Sequence, residues 1–293
     1  MAVGWHDTAA VRADRGRTVK PAPFDYLRVT DAEEVLEVLR QEGGDARILA
    51  GGQSLMPMLA MRLARPKLLV DIMRVGALRR IDDDGKTLRI GAAVQQAVLE
   101  RRADLCQRQP LLARALAWVG HAQTRARGTV CGSIAHADPS AELPLALVTL
   151  GGSVHLRTRK KQRTLAAADF FTGMMTTTKG DDEMIESVSF PTAAPGTGYA
   201  FEEIGRRHGD FAIVACAAVV DGSKTILGIG GVADMPTVRL LPLPGSADFA
   251  DALNQYAWDL DARDDLHATG RYRRDLVRQL GRRTIEEAAR CRA

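Results

Sequence analysis

The sequence has few aromatic residues and no closely spaced cysteines. Its four cysteines, Cys106, Cys131, Cys216 and Cys291, are spread along the chain and form no C-x-x-C pair. Structural zinc sites and iron–sulfur clusters use thiolates at short spacings, so we expect this chain to hold no metal. Aromatic residues make up 5% of the sequence, and the net charge is only +4 because bases and acids are interleaved. The sequence therefore lacks aromatic side chains, on which bases could stack, beside a row of basic residues. Nucleic-acid binding is disfavoured for this reason.

Long apolar runs are also missing. No stretch reaches the roughly 20 apolar residues that a membrane-spanning helix needs, so we expect no membrane insertion. Residues 1–19 contain Arg12, Arg15 and Arg17 but no apolar core, unlike a secretory signal. We expect them to form a flexible N-terminal extension, and we expect the protein to be cytoplasmic. A length of 293 residues, of which 46% are hydrophobic, predicts a globular chain with more than one lobe.

The pattern of apolar residues predicts a mixed fold. A first helix is predicted after Thr30, with Glu33 completing a capping box and Gly43 ending the helix. Strands and helices are mixed early in the chain, and later a run of strands precedes helices, which indicates an α+β fold. Residues 125–139 are predicted to form loops. Strands are predicted at 47–50, 67–72, 88–92, 154–157, 184–190, 199–203, 211–220 and 225–230, and further helices at 94–101, 110–119, 141–150 and 272–289.

Two glycine-containing segments carry the strongest chemical signal. The first is Ala50-Gly51-Gly52-Gln53-Ser54-Leu55, directly after a predicted strand, and the second is Arg127-Gly128-Thr129-Val130-Cys131-Gly132-Ser133. Glycine permits positive φ, and successive backbone N–H groups in such turns form a concave nest for phosphate oxygens. Neither segment matches the P-loop or the Rossmann spacing. The residues alone indicate a candidate pyrophosphate site, and the alternative of two purely structural turns stays open.

Together with their neighbours, the two segments resemble a known family. Residues 48–57 (ILAGGQSLMP), 127–144 (RGTVCGSIAHADPSAELP) and 206–212 (RRHGDFA) are similar in order and spacing to motifs of the FAD-binding medium subunit of the molybdenum hydroxylases. This is the carbon monoxide dehydrogenase and xanthine dehydrogenase family. The resemblance implies an FAD-binding fold of the vanillyl-alcohol oxidase (PCMH) type with two α+β subdomains, plus a C-terminal domain of small antiparallel sheet and helices. We expect these units at residues 20–80, 81–195 and 196–293.

The resemblance also implies which residues bind FAD. The two loops enclose its pyrophosphate, Glu142 contacts ribityl or ribose hydroxyls, and Ile185 contacts the adenine or the ring system. No residue is expected to act as a catalytic acid or nucleophile, and for His136 a structural hydrogen-bonding role is the alternative. The implied cofactor-binding residues are Leu49, Ala50, Gly51, Gly52, Gln53, Ser54, Leu55, Val119, Gly120, Thr129, Cys131, Gly132, Ser133, Ala135, His136, Glu142 and Ile185.

Two departures from the family pattern lie close to the implied site. The family usually has Gly-Gly in the second loop, and here Cys131 replaces the first glycine. Because positive φ is costly for a cysteine, we expect Cys131 to have an ordinary φ and a side chain that points away from the cofactor. Relatives often have a lysine near Glu202 and Glu203, where this chain has two acids. Carboxylates near the flavin would disfavour an anionic reduced form.

The resemblance implies an electron-transfer role within a larger assembly. A large subunit would hold the molybdenum cofactor, and a small subunit with two [2Fe–2S] clusters would relay electrons to the FAD of this chain. The FAD would then pass them to an external acceptor, and two heterotrimers would form the particle. One alternative is a self-sufficient FAD oxidoreductase, and another is a non-redox nucleotide-binding regulatory module. The sequence of this chain does not encode the substrate or the acceptor.

Overall fold

The computed structural model describes residues 20–292, and the predicted extension at residues 1–19 lies outside the described residues. The strands are β1 Asp25–Arg28, β2 Ala46–Leu49, β3 Leu68–Asp71, β4 Ile81–Asp83, β5 Thr87–Gly91, β6 Ser153–Arg157, β7 Gln162–Ala166, β8 Phe171–Gly173, β9 Thr176–Thr177, β10 Met184–Pro191, β11 Gly198–Ile204, β12 Val214–Val220, β13 Thr225–Gly230 and β14 Thr237–Leu241. The helices are α1 Ala32–Glu42, α2 Leu55–Ala60, α3 Gln96–Glu100, α4 Leu105–Arg108, α5 Pro110–Trp118, α6 Ala122–Arg127, α7 Val130–His136, α8 Glu142–Thr149, α9 Ala167–Phe170, α10 Phe249–Asp259 and α11 Gly270–Arg290.

The first sheet is a parallel one of three strands in the order β1-β3-β2. The apolar face of α1, which includes the fully buried Val35 and Leu36, belongs to the same core as Val70 of β3. Helix α1 ends at Gly43, whose φ of 52° is a conformation that favours glycine. The chain then returns through β2, which leads directly into the first glycine loop.

The second sheet has five strands in the order β4-β5-β10-β6-β7, all paired antiparallel. Its central strand β10 is buried along most of its length, with Val188 and Phe190 fully covered. Helices α5 and α8 contribute Leu111 and Leu143 to the same core. The second glycine loop connects α6 to α7 beside β5. This core therefore holds the loop in position.

The third sheet is an antiparallel meander in the order β11-β12-β13-β14. Alternate residues of a strand point to opposite faces. Tyr199 and Phe201 of β11 therefore join the core of the first two sheets, whereas Ala200 joins a separate core with α10 and α11. Glu202 and Glu203 consequently lie on opposite faces of β11.

The predicted α+β organisation is confirmed, but two local predictions are wrong. Residues 125–139 contain the end of α6 and all of α7, where loops were expected, because the Thr129 side chain caps α7 by accepting from the backbone N–H of Gly132. The capping box at Thr30 and Glu33 does not form: the residue before α1 is Asp31, which makes no side-chain cap, and Glu33 pairs with Arg157. No helix within residues 20–292 is both long and apolar enough to cross a bilayer.

Candidate functional site

The two glycine loops meet, and their backbones touch. A Cβ atom built on Gly51 would lie 2.1 Å from the carbonyl oxygen of Arg127 and 2.7 Å from Cα of Gly128. No side chain fits there, since real Cβ atoms essentially never approach so closely. Gly52 has a φ of 72°, and its carbonyl accepts from the backbone N–H of Met56 in the first turn of α2. Glycine at both positions is therefore required by close approach at Gly51 and by backbone conformation at Gly52.

The second loop is fastened by the start of α7. The backbone N–H of Gly132 donates to Oγ1 of Thr129 at 3.0 Å, and the backbone N–H of Val130 donates to the carbonyl of Val94 at 3.2 Å. A Cβ on Gly132 would come within 2.7 Å of Thr129 Oγ1, so glycine lets the cap close tightly.

Thr129→Val tests the contribution of this cap. The valine keeps the shape of the side chain but removes the acceptor for the Gly132 N–H. We expect the free energy of unfolding to fall by about 1 kcal/mol and the second loop to loosen. Urea unfolding of the full chain measures the loss. A Thr129→Ser variant keeps the acceptor and should retain most of the stability; equal losses in both variants would contradict a capping role.

A cavity of about 530 Å³ opens between the loops, a volume within the usual range of small-molecule and cofactor sites. All the cofactor-binding residues expected from the sequence line it except Leu49, which lines a neighbouring cavity on the first loop. The lining residues shared by prediction and structure are Ala50, Gly51, Gly52, Gln53, Ser54, Leu55, Val119, Gly120, Thr129, Cys131, Gly132, Ser133, Ala135, His136, Glu142 and Ile185.

The cavity is also lined by residues that the sequence did not predict. Lys179, in the loop before β10, is partly buried, and its Nζ donates to the carbonyl oxygens of Gly180 at 2.6 Å and Glu183 at 3.1 Å. Burial disfavours its charged form and lowers its pKa, and the neighbouring Arg47, which also lines the cavity, acts in the same direction. No local motif marks these two positions, because only the fold brings β2 and the segment before β10 together.

The C-terminal lobe also reaches the cavity. Gly209, Asp210 and Phe211, in the loop between β11 and β12, line it. All three belong to the RRHGDFA segment that contributed to the resemblance, so this motif was a usable signal. Phe211 is 65% exposed, so its ring is largely open to solvent.

Glu142 brings a buried carboxyl group to the cavity wall. It is the first residue of α8 and is 6% exposed. Burial, together with the negative charge of Asp138, raises the pKa of Glu142 to about 7, while a hydrogen bond from its own backbone N–H and the charge of Arg125 oppose the shift. A carboxyl group in this position can accept hydrogen bonds from ligand hydroxyls when it is ionised.

Cys131 takes the ordinary backbone conformation that the sequence led us to expect. It lies within α7, is buried, and directs its Sγ toward the carbonyl oxygen of Ile90 at 3.4 Å. Burial raises the pKa of the Cys131 thiol to about 12, so the thiolate, which is the reactive form, is absent near neutral pH.

Thiol titration checks this description of the cysteines. Cys131 and Cys216 are buried, whereas Cys106 and Cys291 are exposed. At pH 8 we expect an aromatic disulfide reagent to label Cys106 and Cys291 rapidly in the native chain, and the other two thiols only after unfolding in guanidinium. Rapid native labelling of Cys131, identified by peptide mass, would contradict its burial.

Comparison with known proteins places the chain in a family. The model of the FAD binding domain in molybdopterin dehydrogenase matches residues 22–193. The chain belongs to this family. It is 35% identical over 283 residues to the 6-hydroxypseudooxynicotine dehydrogenase complex subunit alpha of Paenarthrobacter nicotinovorans, covering 92% of this chain and 96% of the relative. It is 36% identical over 200 residues to the carbon monoxide dehydrogenase medium chain of Hydrogenophaga pseudoflava, covering 68% of this chain and 70% of the relative.

The fold of this molybdopterin dehydrogenase flavoprotein agrees with the sequence match. The solved carbon monoxide dehydrogenase from Hydrogenophaga pseudoflava, in a form that lacks the Mo-pyranopterin moiety of its molybdenum cofactor, superposes with a TM-score of 0.86 at 30% identity. The superposition covers 93% of this chain and 99% of that chain. The predicted family, the FAD-binding α+β fold and the assignment as the medium flavoprotein component of an oxidoreductase are confirmed.

The residues of the cavity fit the cofactor of the family. The close approach of the two loops leaves no room for a side chain at Gly51, so backbone rather than side chain can face a pyrophosphate there. Ser54 and Ser133 add hydroxyl donors in the same cavity lining. Glu142 supplies an acceptor for sugar hydroxyls. This donor and acceptor set suits a dinucleotide such as FAD.

Proposed function

We propose that this chain is the electron-transfer subunit of a heteromeric molybdenum hydroxylase. Its FAD receives electrons from the [2Fe–2S] clusters of a small partner subunit and passes them to an external acceptor, while a large subunit with the molybdenum cofactor oxidises the substrate. The observation that carries the proposal is the cavity between the two glycine loops, within the FAD binding domain of a molybdopterin dehydrogenase. FAD supplies the redox chemistry when bound, and the chain orients it and sets its surroundings.

The lining of the cavity is uneven, which suggests how FAD lies in it. The lining includes the buried apolar residues Leu39, Ala46 and Ile72 and also the exposed ring of Phe211. We place the adenine beside the buried residues, near Lys179 and Ile185, and the isoalloxazine beside Val119, Gly120 and Phe211. This orientation leaves the ring that exchanges electrons close to the surface, where a partner cluster and an acceptor can approach it.

The residues predicted from the sequence then take specific roles. The backbone from Leu49 to Leu55 and the segment from Thr129 to Ser133 hold the pyrophosphate, and Glu142 accepts from ribityl or ribose hydroxyls. Ala135 and His136 lie beside the flavin. None of these residues forms a nucleophile–base pair, which agrees with a chain that transfers electrons without acid–base chemistry of its own. The three larger sheets lie within residues 25–71, 81–191 and 198–241, which supports the division at about residues 80 and 195.

The proposed assembly is cytoplasmic and contains two copies each of the large, medium and small subunits. The names of the relatives, subunit alpha of a dehydrogenase complex and medium chain of carbon monoxide dehydrogenase, support a multi-subunit particle. Substrate selection in such a particle belongs to the large subunit, so the residues of this chain do not determine it.

Reoxidation kinetics of the purified complex test this function. The complex, captured through a tag on this chain, is reduced anaerobically with titanium(III) citrate and mixed with oxygen or a soluble quinone. We expect the iron–sulfur absorbance to recover at least roughly 100-fold more slowly after the FAD is stripped, because electrons would then lack their exit. Equal recovery with and without FAD would contradict the proposed route. Substrate turnover by this chain alone would favour a self-sufficient oxidoreductase.

A further inference from the structure

The short segment before β10, residues 179–181, forms part of the wall of the cofactor cavity beside β2. Lys179 and Asp181 of this segment line the cavity, and so do Ala46 and Arg47 of β2. A Cβ atom built on Gly44, two residues before β2, would lie 3.3 Å from Oδ2 of Asp181. The segment therefore packs against the start of β2, and it brings a donor and an acceptor to the same part of the wall.

A different contact closes the cavity where the C-terminal lobe reaches it. A Cβ atom built on Gly209 would lie 2.5 Å from Cε1 of His121 and 3.1 Å from the carbonyl oxygen of Gly120. The loop that carries Phe211 is thus packed against the residues that follow α5. The proposed function places the isoalloxazine at this contact and the adenine at the contact between β2 and residues 179–181.

Lys179 has one hydrogen-bond donor to spare. Its Nζ donates to the carbonyl oxygens of Gly180 at 2.6 Å and Glu183 at 3.1 Å. Both partners are acceptors, which favours the ammonium form of the side chain, and an ammonium group has three N–H donors. Within residues 20–292 this Nζ makes no third hydrogen bond. One N–H therefore remains for a ligand in the cavity that Lys179 lines.

Asp181 offers an acceptor two residues away. In the part of the chain that the structure describes, its carboxylate makes no hydrogen bond and no ion pair. The two acids that follow it differ in this respect: Asp182 does not line the cavity, and Glu183 is held by Arg163 at 2.7 Å. Of the three consecutive acids, Asp181 is thus the one that presents an unpaired carboxylate to the cavity.

A donor beside an acceptor matches an edge of adenine. Adenine presents its 6-amino group, which is a donor, next to a ring nitrogen, which is an acceptor. Hypoxanthine and guanine carry an oxygen at position 6, which would face the Asp181 carboxylate without a proton between the two acceptors. The buried apolar residues Leu39, Ala46 and Ile72 line the same cavity and suit the faces of a flat base.

We propose that Lys179 and Asp181 recognise the adenine base of FAD. Asp181 accepts a hydrogen bond from the 6-amino group, and Lys179 donates its remaining N–H to the adjacent ring nitrogen. The two residues are specificity-determining, because they favour an adenine dinucleotide over FMN and over dinucleotides with another base. The inference rests on the proposed function, since it takes FAD as the ligand of the cavity.

Calorimetric titration of the FAD-free full chain tests this assignment. The probes are FAD and flavin hypoxanthine dinucleotide, in which an oxygen replaces the 6-amino group. We expect the wild type to bind the hypoxanthine analogue about 30-fold more weakly, because a hydrogen bond to Asp181 becomes a repulsion. In Asp181→Asn, whose amide can donate to that oxygen, the ratio should fall to about threefold or less. Asp182→Asn, which changes the neighbouring acid outside the cavity lining, should keep the wild-type ratio.

FMN, which lacks the adenosine half of FAD, separates base recognition from flavin binding. Lys179→Met keeps a long side chain but removes its donors, and it should weaken FAD about tenfold and FMN by less than about twofold. Asp181→Asn tests the assignment even if Lys179→Met does not fold, because Asp181 makes no hydrogen bond within residues 20–292. Equal wild-type affinities for the two dinucleotides, or an unchanged ratio in Asp181→Asn, would overturn the inference. A folded wild-type chain that binds none of the three flavins would refute the proposed function, and the inference with it.

Discussion

Gly51→Ala should weaken FAD binding strongly while leaving most of the chain folded. The added methyl group would lie 2.1 Å from the Arg127 carbonyl oxygen and 2.7 Å from Gly128 Cα, and both are backbone atoms that cannot rotate aside. The first loop must therefore move away from the second, and the pyrophosphate nest between them opens. Overpacking of this kind costs typically 1–3 kcal/mol or more, so we expect FAD affinity to fall about 100-fold.

The flavin content of the purified variant, together with its dissociation constant for added FAD, measures this effect. Gly76→Ala is the matched control, because a Cβ at Gly76 has no neighbour within 4 Å and Gly76 does not have a positive φ. We expect this control to retain the flavin of the wild type. Full flavin occupancy in Gly51→Ala would contradict the conclusion that the two loops close around the cofactor.

Arg273→Ala should cause the largest loss of stability in the C-terminal lobe. Arg273 is 4% exposed, and its Nη1 donates to the carbonyl oxygens of Ile213 at 2.5 Å and Gly231 at 2.6 Å. Its Nη2 pairs with Asp265. Removing the guanidinium leaves two buried carbonyl groups without this donor and creates a cavity in the interface between α11 and the third sheet. We expect a loss of about 3 kcal/mol in the free energy of unfolding.

Thermal unfolding of Arg273→Ala should show a Tm lowered by roughly 6 °C or more. Since Ile213 directly follows the segment that carries Phe211 to the cavity, FAD affinity should fall as well. Arg271, on the same helix but exposed, provides the control, and Arg271→Ala should change stability by less than about 0.5 kcal/mol. Equal Tm values for the two variants would refute the structural role of the buried guanidinium.

The sequence predicted best the features that depend on short, contiguous segments of the chain. The two glycine loops combine glycine with small hydroxyl residues over six or seven positions, and the geometry of the loops depends on those residues directly. Helix α8 is similarly marked by a continuous apolar run after its first residue. For these parts of the site, local chemistry and the folded structure agree.

The features that the sequence missed depend on residues far apart in the chain. Lys179 reaches the cavity only because β10 pairs between β5 and β6. Glu33 does not cap its helix because it pairs instead with Arg157, which is 124 residues away in the sequence but adjacent in the fold. Helix α7 was missed because its glycine, serine and cysteine are weak helix formers, and tertiary burial of Val130 and Ile134 outweighs that weakness. The opposite environments of Glu202 and Glu203 likewise follow from the sheet on which they lie.

The visible spectrum of the purified full chain, with mass identification of the released chromophore, tests the central claim most directly. The account predicts flavin bands at ~370 and ~450 nm and FAD as the released species, with about one FAD per chain. A folded but colourless chain that does not take up added FAD would contradict the assignment of the cavity between the two glycine loops as a flavin site.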